Sequence, residues 1–597
     1  MKRNKYIIGM IAAAMAVASC SDFSDYNEEY TSGPQEAQQS LWQNIEQNPQ
    51  LSQFAQLVRS VGFNEKLNGS NTFTVWAPVN GTFDDIYQKY ANADSISIVK
   101  EFVQSHVANY NYTVSGDVDA KVTALNNKTF EFVTDSGVVK YGLRQLLTMN
   151  QGAGNGVMHT IDGAVEYLPN IYAYMRWYSQ GADSIKAYFN KYHSETLNKN
   201  KSTAGDYDDL GQLHYKDSVM DSTNTMFRSL RAYIEVEDSN YTMMMPTDEA
   251  YVNAYNRIKS YYKYPTKAAY RYFSSTIKED RINEKAQSVQ ADYLSDSITR
   301  ITIAGSLFFN NNRLYNRWVF NPSSEPSDTL MSTARNYFSN GADFIPGTSP
   351  CLVKQVRMSN GFVNILDSLP IKSWEGWAPP IYVSPTSRSA RALADGTTAV
   401  STRVLKNYFN SEKYTLPEGV ENVSYLDCRV ENDRSVPKID FYLNNTLSTK
   451  YHVFVVTVPG DISIDTDSGF VKKAYKFAVK VGYGNESGSA MQEVELKNPA
   501  TNNKDFFSDS LAIDTIYCGS ITFPVAYANI PLTDNDLHVC PYLHIESTRS
   551  TVLRAQWAIY DNNLRLAGVL LIPEDYLEEW SRKWLPKFHD EKFPVTN

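Results

Sequence analysis

The sequence is poor in cysteine and carries no excess of basic charge. Only 5 cysteines occur in 597 residues, and no two of them form a CxxC pair, which excludes a zinc ribbon and a thioredoxin-like motif. The 56 lysines and arginines are outnumbered by 66 acidic residues, so the net charge of −10 provides no cationic field for a nucleic-acid backbone. The HExxH, GxSxG, Walker and GxGxxG motifs are also missing. No signature therefore points to nucleic acid, a metal or a cofactor.

Long hydrophobic runs are missing beyond the N-terminus. A basic start is followed by an apolar stretch over residues 6–18, which is shorter than the roughly 20 residues of a membrane span. This stretch ends in Val17-Ala18-Ser19-Cys20. It resembles the lipobox of bacterial lipoproteins, in which the cysteine is lipidated and becomes the first residue. We expect a signal peptide over 1–19 and lipidation at Cys20, and the alternative is a plain signal peptide with a chance cysteine.

An acidic segment follows the cysteine. Residues 21–30 read SDFSDYNEEY, and we interpret 20–36 as a tether. The segment resembles the export signal of Bacteroides-type lipoproteins displayed on the outer face of the outer membrane. The expected location is therefore the outer membrane, lipid-anchored and facing the extracellular side. The alternative is a solvated linker that carries no export signal.

Three segments occur in a characteristic order. TVWAPVNGTF spans 74–83, His106 follows a serine, and NGVMHTID spans 155–162. These segments resemble the fasciclin-like domain, whose boxes are close to TVFAPTNxAF and NGVIHVID and whose middle motif is Tyr-His, so Ser105 replaces the tyrosine here. We also expect the asparagine of the first box to cap the helix that follows. The motif residues, expected to be structural, are Thr74, Pro78, Asn80, His106, Asn155, Gly156, His159 and Asp162.

The pattern returns in weaker form. NYTMMMPTDEAY spans 240–251 and NGFVNILDSLP spans 360–370, with Asn364 in place of the closing-box histidine. We predict a second, divergent fasciclin-like domain, in which Met243–Met245 forms a buried strand rather than a metal or cofactor site. A polar stretch over 198–207 is predicted to be an inserted loop.

Strand signals dominate after residue 385. Apolar runs and strict alternation predict an antiparallel β-sandwich, including strands at 451–458, 556–560 and 564–572, and an amphipathic C-terminal helix docked on it. The predicted fold is α+β multidomain, with two fasciclin-like α/β-wedge domains followed by a mainly antiparallel β-sandwich-like domain. The predicted divisions are 1–19 signal peptide, 20–36 tether, 37–172 first fasciclin-like domain, 173–385 second fasciclin-like domain and 386–597 sandwich.

The remaining cysteines leave the redox state open. In an oxidising compartment Cys351, Cys428, Cys518 and Cys540 allow three disulfide connectivities, and buried free thiols are the alternative. His538 and His544 flank Cys540, but their strand-forming neighbours favour structural roles over metal binding.

Two surface features have compartment-dependent interpretations. Trp374, Trp377 and Tyr382 lie in a segment with glycine and proline, and we expect them either to stack on sugar rings or to pack between domains. Ser218 and Ser222 lie in triplets that resemble the O-glycosylation acceptor of Bacteroides-type exported proteins.

The resemblance to fasciclin-like domains implies a non-catalytic role in adhesion and extracellular binding. We therefore predict a surface-exposed outer-membrane lipoprotein that binds a glycan or a protein, without a cofactor. The alternative is an accessory subunit of a SusC/SusD-type TonB-dependent nutrient-uptake complex. A third hypothesis, an enzyme, has no motif in its support.

Overall fold

The computed structural model describes most of the chain from residue 39 onward. The described residues are 39–199, 202–208, 211–217, 220–265, 284–312, 330–338, 349–385, 391–392, 398–404, 424–443, 445–459, 473–486, 491–529 and 541–594. The predicted signal peptide, Cys20 and the acidic tether lie outside these ranges. Among the described residues, no helix combines the length and the apolar character needed to cross a bilayer.

The chain divides into two compact units. The first comprises the described residues up to Tyr178 together with Tyr233–Asn240 and Arg357–Phe362. The second comprises Ser179–Ala232, Tyr241–Val356 and Val363–Asn597, within the described ranges.

The first unit contains a seven-stranded sheet with the order β2-β1-β7-β6-β5-β4-β3. The central pair β1 and β7 is parallel, and all other neighbours are antiparallel. Its strands are β1 Phe73–Pro78, β2 Val107–Asn109, β3 Asp119–Thr123, β4 Thr129–Asp135, β5 Val138–Tyr141, β6 Arg144–Ala153 and β7 Gly156–Ile161.

Short helices accompany this sheet. They are Leu41–Gln47, Ser52–Ser60, Asn64–Leu67, Asp84–Ala91, Ser95–Ser97 and Ile171–Ala173, with 3₁₀ turns at Pro49–Leu51 and Val103–His106 and π-helical turns at Ile98–Phe102 and Tyr174–Tyr178. Ser40 begins the first helix through a capping box, in which its Oγ accepts from Gln43 N and Gln43 Oε1 accepts from Ser40 N. The first helix ends before Pro49, which starts a new 3₁₀ turn ahead of the helix Ser52–Ser60.

The sheet of the first unit separates two apolar clusters. Val75 belongs to the cluster formed with the helices, whereas its neighbour Trp76 belongs to the cluster on the other face. Successive side chains of a strand point to opposite faces, so β1 is buried at every position. Trp76 stacks on Tyr141 with a centroid separation of 4.0 Å and an interplanar angle of 4°.

A four-stranded sheet of order β13-β12-β17-β16 belongs to the second unit except for residues 357–358 and 361–362, and three two-stranded ladders, β10-β9, β11-β8 and β14-β15, belong to it entirely. The strands are β8 His193–Leu197, β9 Thr203–Tyr207, β10 Leu213–Asp217, β11 Met220–Asn224, β12 Tyr241–Pro246, β13 Phe308–Asn310, β14 Leu330–Met331, β15 Tyr337–Phe338, β16 Leu352–Met358 and β17 Gly361–Leu366. Strand β12 is buried throughout, which confirms the buried strand predicted at Met243–Met245. The loop predicted at 198–207 is wrong in part, because β9 pairs with β10.

The four-stranded sheet repeats the register of the first unit. Thr74 lies opposite Ala108 in the β1–β2 pair, and Thr242 lies opposite Phe309 in the β12–β13 pair. Each pair of strands matches over three positions, and in each sheet the strand of the first box lies beside the strand of the closing box. The sequence repeat is therefore also a repeat of strand pairing.

Two six-stranded sheets form the C-terminal part of the second unit. One has the order β20-β21-β29-β23-β27 with β18 also paired to β29, and the other has the order β19-β22-β28-β24-β25 with β26 paired to β24. The strands are β18 Ile381–Val383, β19 Arg391–Ala392, β20 Ala399–Val404, β21 Ser424–Arg429, β22 Lys438–Tyr442, β23 Lys450–Thr457, β24 Lys476–Gly484, β25 Met491–Glu495, β26 Phe506–Phe507, β27 Asp514–Thr522, β28 Tyr542–Ser547 and β29 Leu564–Pro573. All pairings given for them are antiparallel, as expected. Strand β18 lies before the boundary predicted at residue 385.

Helices complete the second unit. They are Asp183–Asn190, Thr225–Leu230, Asp248–Lys259, Glu284–Ala304, Ser373–Gly376, Arg554–Ile559, Leu577–Trp584 and Pro586–Lys592, with a 3₁₀ turn at Glu574–Tyr576. Trp580 packs on Phe454 at a centroid distance of 5.0 Å, which confirms that the C-terminal helix docks on the sheet. The strand predicted at 556–560 is wrong: Tyr560 N donates to Gln556 O, and Gln556 Oε1 accepts from Ser550 N, so the segment closes into a helical turn.

Candidate functional site

Asn155 of the closing box ties three chain segments together. Its Oδ1 accepts from Leu41 N at 2.8 Å, and its Nδ2 donates to Leu67 O at 2.9 Å and to Gly69 O at 2.7 Å. The side chain is buried, so these bonds satisfy backbone groups that water does not reach. Asn155 therefore has a structural role, as the motif implied.

Asn360 makes the same three bonds in the repeat. Its Oδ1 accepts from Ile171 N at 2.9 Å, and its Nδ2 donates to Ile234 O at 2.8 Å and to Val236 O at 3.0 Å. In both cases the accepted N–H belongs to the first residue of a helix. The repeated motif thus performs the same local task twice.

The glycine that follows Asn155 is required by its surroundings. Gly156 has a φ of +148°, and a Cβ added there would lie 1.9 Å from Phe73 O. Glycine alone allows this close approach of β7 to β1.

Two buried histidines act as neutral bridges. His106 Nδ1 lies 2.8 Å from Phe102 O, and its Nε2 accepts from Val165 N at 3.0 Å. His159 Nε2 lies 2.8 Å from Tyr112 O, and its Nδ1 accepts from the backbone N–H of Asn150. One nitrogen of each ring must donate and the other must accept, which requires the neutral form. Burial lowers the pKa of each histidine to about 4.

The first box is also held by hydrogen bonds. Thr74 Oγ1 donates to Tyr110 O at 2.7 Å, and Pro78 ends β1. Asn80 does not cap the helix that follows it. Its Oδ1 accepts from Gln53 N at 3.0 Å, because the loop folds back onto the earlier helix Ser52–Ser60, and so the predicted cap is wrong.

The end of the closing box pairs with the neighbouring strand. Asp162 Oδ1 accepts from Gln145 N at 3.0 Å, and Asp162 N donates to Gln145 O at the same distance. Ser105, which replaces the family's tyrosine, donates to Glu101 O at 2.8 Å. Every motif residue thus has a structural contact.

A cavity of about 420 Å³ opens in the first unit, and we call it the unit-1 cavity. It is lined by residues from the segments 128–131, 142–144, 165–168 and 357–359, none of which lies within a sequence motif. Its charged lining residues are Lys128, Glu131, Arg144, Glu166 and Arg357. Its apolar lining residues are Phe130, Leu143, Val165, Leu168 and Met358. The volume lies in the range of small-molecule sites.

Lys128, a lining residue of the unit-1 cavity, forms a largely buried ion pair with Glu237. Lys128 Nζ donates to Glu237 Oε1 at 2.6 Å and to Ser359 Oγ at 3.1 Å, and Ser359 Oγ donates to Glu237 Oε2 at 2.7 Å. Asn170 Nδ2 also donates to Glu237 Oε1, at 2.9 Å. Burial lowers the pKa of Lys128, while the Glu237 carboxylate opposes this effect. The network fixes the end of the 357–359 segment.

Arg144 is positioned by the backbone in another segment of the lining. Its Nε donates to Ala164 O at 2.8 Å, and a Cβ on Gly163 would lie 2.9 Å from its Nη1. By contrast, Glu131, Glu166 and Arg357 make no side-chain hydrogen bond or ion pair with any described residue. Their polar atoms are thus available to a ligand.

The aromatic residues predicted to bind sugars are engaged in packing. Trp374 stacks on Tyr576 with a centroid separation of 5.0 Å, and Lys372 Nζ lies 5.2 Å from the Trp374 ring centroid. Trp377 is only 6 % exposed. The OH of Tyr382, in β18, donates to Ala567 O at 2.9 Å. Trp374 also lines a cavity of about 390 Å³ in the second unit. Each of the three residues thus packs within the second unit.

Other predicted sites are only partly described. Ser222 is exposed on β11, whereas Ser218 lies outside the described residues. Cys351 and Cys518 are free thiols, Cys428 is buried, and Cys540 and His538 lie outside the described ranges. His544 Nδ1 lies 2.6 Å from Asp440 Oδ1. No group of three or more His, Cys, Asp or Glu side chains suited to a metal ion occurs within the described part of the chain.

Solved structures with some likeness to this chain have low scores. The FAS1 domain pair of the insect cell adhesion molecule Fasciclin I aligns over 55 % of this chain and 98 % of that chain, at 12 % identity and a TM-score of 0.20. The xylanase 10B of Clostridium thermocellum aligns over 33 % of this chain and 29 % of that chain, at 7 % identity and a TM-score of 0.20. Tailspike protein 4 of bacteriophage CBA120 aligns over 34 % of this chain and 21 % of that chain, at 6 % identity and a TM-score of 0.15. Such scores carry no functional argument.

The sequence comparison is more specific. No curated protein matches the chain. Residues 49–166, however, match the family model of the Fasciclin domain, and this range contains both boxes and most of the unit-1 cavity. The N-terminal domain of this chain is therefore fasciclin-like.

Proposed function

We propose that this chain is a non-catalytic, surface-exposed outer-membrane lipoprotein that binds an extracellular glycan or protein, or mediates adhesion. The fasciclin match at residues 49–166 carries the proposal, because fasciclin domains are associated with cell adhesion or ligand binding. The unit-1 cavity supports it, since three of its charged side chains are not engaged by described residues.

The proposal includes a second fasciclin-like domain over about 173–385. The repeated strand register and the matching bonds of Asn155 and Asn360 support it. The adhesion function then rests on a tandem pair, followed by the sandwich.

Lipidation at Cys20 supplies the anchor in this proposal. The test is expression of the wild type and of Cys20→Ala in a Gram-negative host, with mass spectrometry of the N-terminal peptide and protease treatment of intact cells. We expect a lipid-modified peptide and protease-sensitive protein for the wild type, and release from the membrane for Cys20→Ala. An unmodified wild-type N-terminus, or full protection in intact cells, would contradict the anchor or the outward orientation.

The partner is tested by pull-down of the lipidated protein from gently solubilised outer membranes. Proteins and retained glycans are both identified by mass spectrometry. Recovery of an extracellular glycan or matrix protein supports a stand-alone binder. Stoichiometric recovery of a TonB-dependent transporter would replace this role with that of an uptake subunit.

A further inference from the structure

The unit-1 cavity has a balanced charge. The charge of Lys128 is balanced by Glu237, whose Oε1 lies 2.6 Å from Lys128 Nζ. The remaining charged lining residues are two guanidinium groups, Arg144 and Arg357, and two carboxylates, Glu131 and Glu166. A strongly anionic ligand meets two carboxylates here, and a strongly cationic one meets two guanidinium groups. The balance favours a ligand without net charge.

The same side chains provide donors and acceptors in close proximity. Guanidinium groups only donate hydrogen bonds, and ionised carboxylates only accept them. A ligand that uses both must itself contain groups that donate and accept. Hydroxyl groups do both, whereas an apolar ligand would leave the charged groups of the lining desolvated and unpaired.

The lining also contains apolar side chains. Phe130 is held against Tyr141 with a centroid separation of 5.2 Å, and Leu143 is 79 % exposed at the cavity rim. Val165 and Met358 are buried. A ring with hydroxyl groups at its edge and C–H bonds on its face matches this combination, because aromatic and aliphatic side chains pack against the C–H face.

Two segments of the lining are held in place before any ligand binds, whereas the exposed side chains of Glu131, Glu166 and Arg357 have no described partner. The Lys128–Glu237–Ser359 network holds one segment of the lining, and the bond from Arg144 Nε to Ala164 O holds another. The fixed segments reduce the conformational entropy lost on binding, and the ordering of the three exposed side chains adds to that loss. Its volume of about 420 Å³ is sufficient for a small ligand or for the end of a longer chain.

We propose that the unit-1 cavity binds a neutral saccharide, with Glu131, Glu166, Arg144 and Arg357 bonding to hydroxyl groups and Phe130 packing against the sugar face. This inference rests on the proposed binding function and specifies its ligand class. It moves the sugar-binding site from Trp374, Trp377 and Tyr382 to residues that carry no sequence motif.

The test uses the full-length protein in a detergent without a sugar headgroup. It is applied to an array of neutral oligosaccharides that differ in linkage and stereochemistry, with trigalacturonate and an equimolar peptide mixture as charged and non-sugar probes. Hits are measured by isothermal titration calorimetry. We expect saturable binding of at least one neutral oligosaccharide, weakened about tenfold or more by Glu166→Gln and by Arg357→Ala.

Matched variants separate site effects from folding effects. Glu65→Gln makes the same chemical change at an exposed position on the helix Asn64–Leu67 and should leave the affinity unchanged. Phe130→Leu keeps an apolar side chain but removes the aromatic face, and it should weaken binding while the circular dichroism spectrum is retained.

The outcomes distinguish this inference from the function on which it rests. Binding of trigalacturonate alone, binding of the peptide mixture alone, or neutral-sugar binding unaffected by both site variants would overturn the saccharide assignment. If no array member binds but the outer-membrane pull-down recovers a protein, the assignment fails and the binding function stands. If both experiments recover nothing, both fail.

Discussion

Replacement of Asn155 by alanine should destabilise the first unit by an amount that follows from its three hydrogen bonds. The buried N–H of Leu41 would lose its acceptor at 2.8 Å, which costs about 1–3 kcal/mol. The carbonyls of Leu67 and Gly69 would each lose a donor, at about 0.5–1.5 kcal/mol apiece. We therefore expect Asn155→Ala to lower the free energy of unfolding of this unit by about 2–6 kcal/mol.

The assay must report on the first unit, because a multidomain chain does not unfold in one two-state step. Hydrogen exchange of the Leu41 amide, followed by mass spectrometry, gives the local opening free energy. Fluorescence of Trp42 and Trp76, both buried, follows the urea transition of the same unit but requires the other tryptophans to be replaced. Exchange at Leu41 should accelerate in Asn155→Ala by a factor that matches the fluorescence result.

Two further variants make the test selective. Asn155→Asp keeps an acceptor for Leu41 N but places a carboxylate against two carbonyl oxygens, so it should be at least as destabilising as alanine despite its similar size. Asn360→Ala should accelerate exchange of the Ile171 amide in the same way. If Asn155→Ala changed the unfolding free energy by less than about 0.5 kcal/mol, the assigned hydrogen bonds would not hold the segments together.

The other predictions concern a buried charge, pH and a glycine. Lys128→Met leaves Glu237 without its cationic partner, although its side chain is 19 % exposed and still accepts from Asn170 and Ser359, and should cost about 1–3 kcal/mol in urea unfolding, part of it regained when Glu237 is also made neutral; an unchanged urea midpoint would contradict the ion pair. His106 and His159 have a pKa of about 4 in the folded protein and bind protons more readily when it is unfolded. The free energy of unfolding should therefore be highest above pH 6.5 and decrease as the pH is lowered from 6.5 to 4. A flat profile of denaturant midpoints over that interval would refute this. Gly156→Ala should lower the free energy of unfolding by more than about 3 kcal/mol. Gly81 has a φ of +76° but open space around its Cβ position, so Gly81→Ala should lower it by only about 1–2 kcal/mol. Equal shifts in the melting temperature of the two variants would contradict a steric clash between residue 156 and β1.

Local sequence signals predicted much of the architecture. The boxes at 74–83 and 155–162 were identified because strand, proline and NG-led strand follow in a fixed order, and the match at 49–166 confirms a fasciclin domain there. The apolar run at 564–572 became β29, which is buried at every position. The short run at 556–560 was assigned to the wrong element, since a few apolar residues do not distinguish a strand from a helical turn.

The partners of polar side chains were less predictable. Asn80 precedes a helix, as a capping residue does, yet it bonds to Gln53 in an earlier helix. Trp374 and Trp377 lie in a segment that resembles an exposed loop, yet Trp374 stacks on Tyr576 and Trp377 is buried. In each case the deciding contact comes from a residue distant in sequence.

The sequence by itself determined the strand and helix signals, the repeated boxes and the charge balance, because these depend on residues within a few positions of one another. Tertiary structure alone decided the position of the unit-1 cavity. Its lining comes from four separate segments, and the 357–359 segment is more than 180 residues from the nearest of the others. Chain folding brought Lys128 to Glu237 and left Arg357 without a described ionic partner, and no local pattern encodes such a distant arrangement.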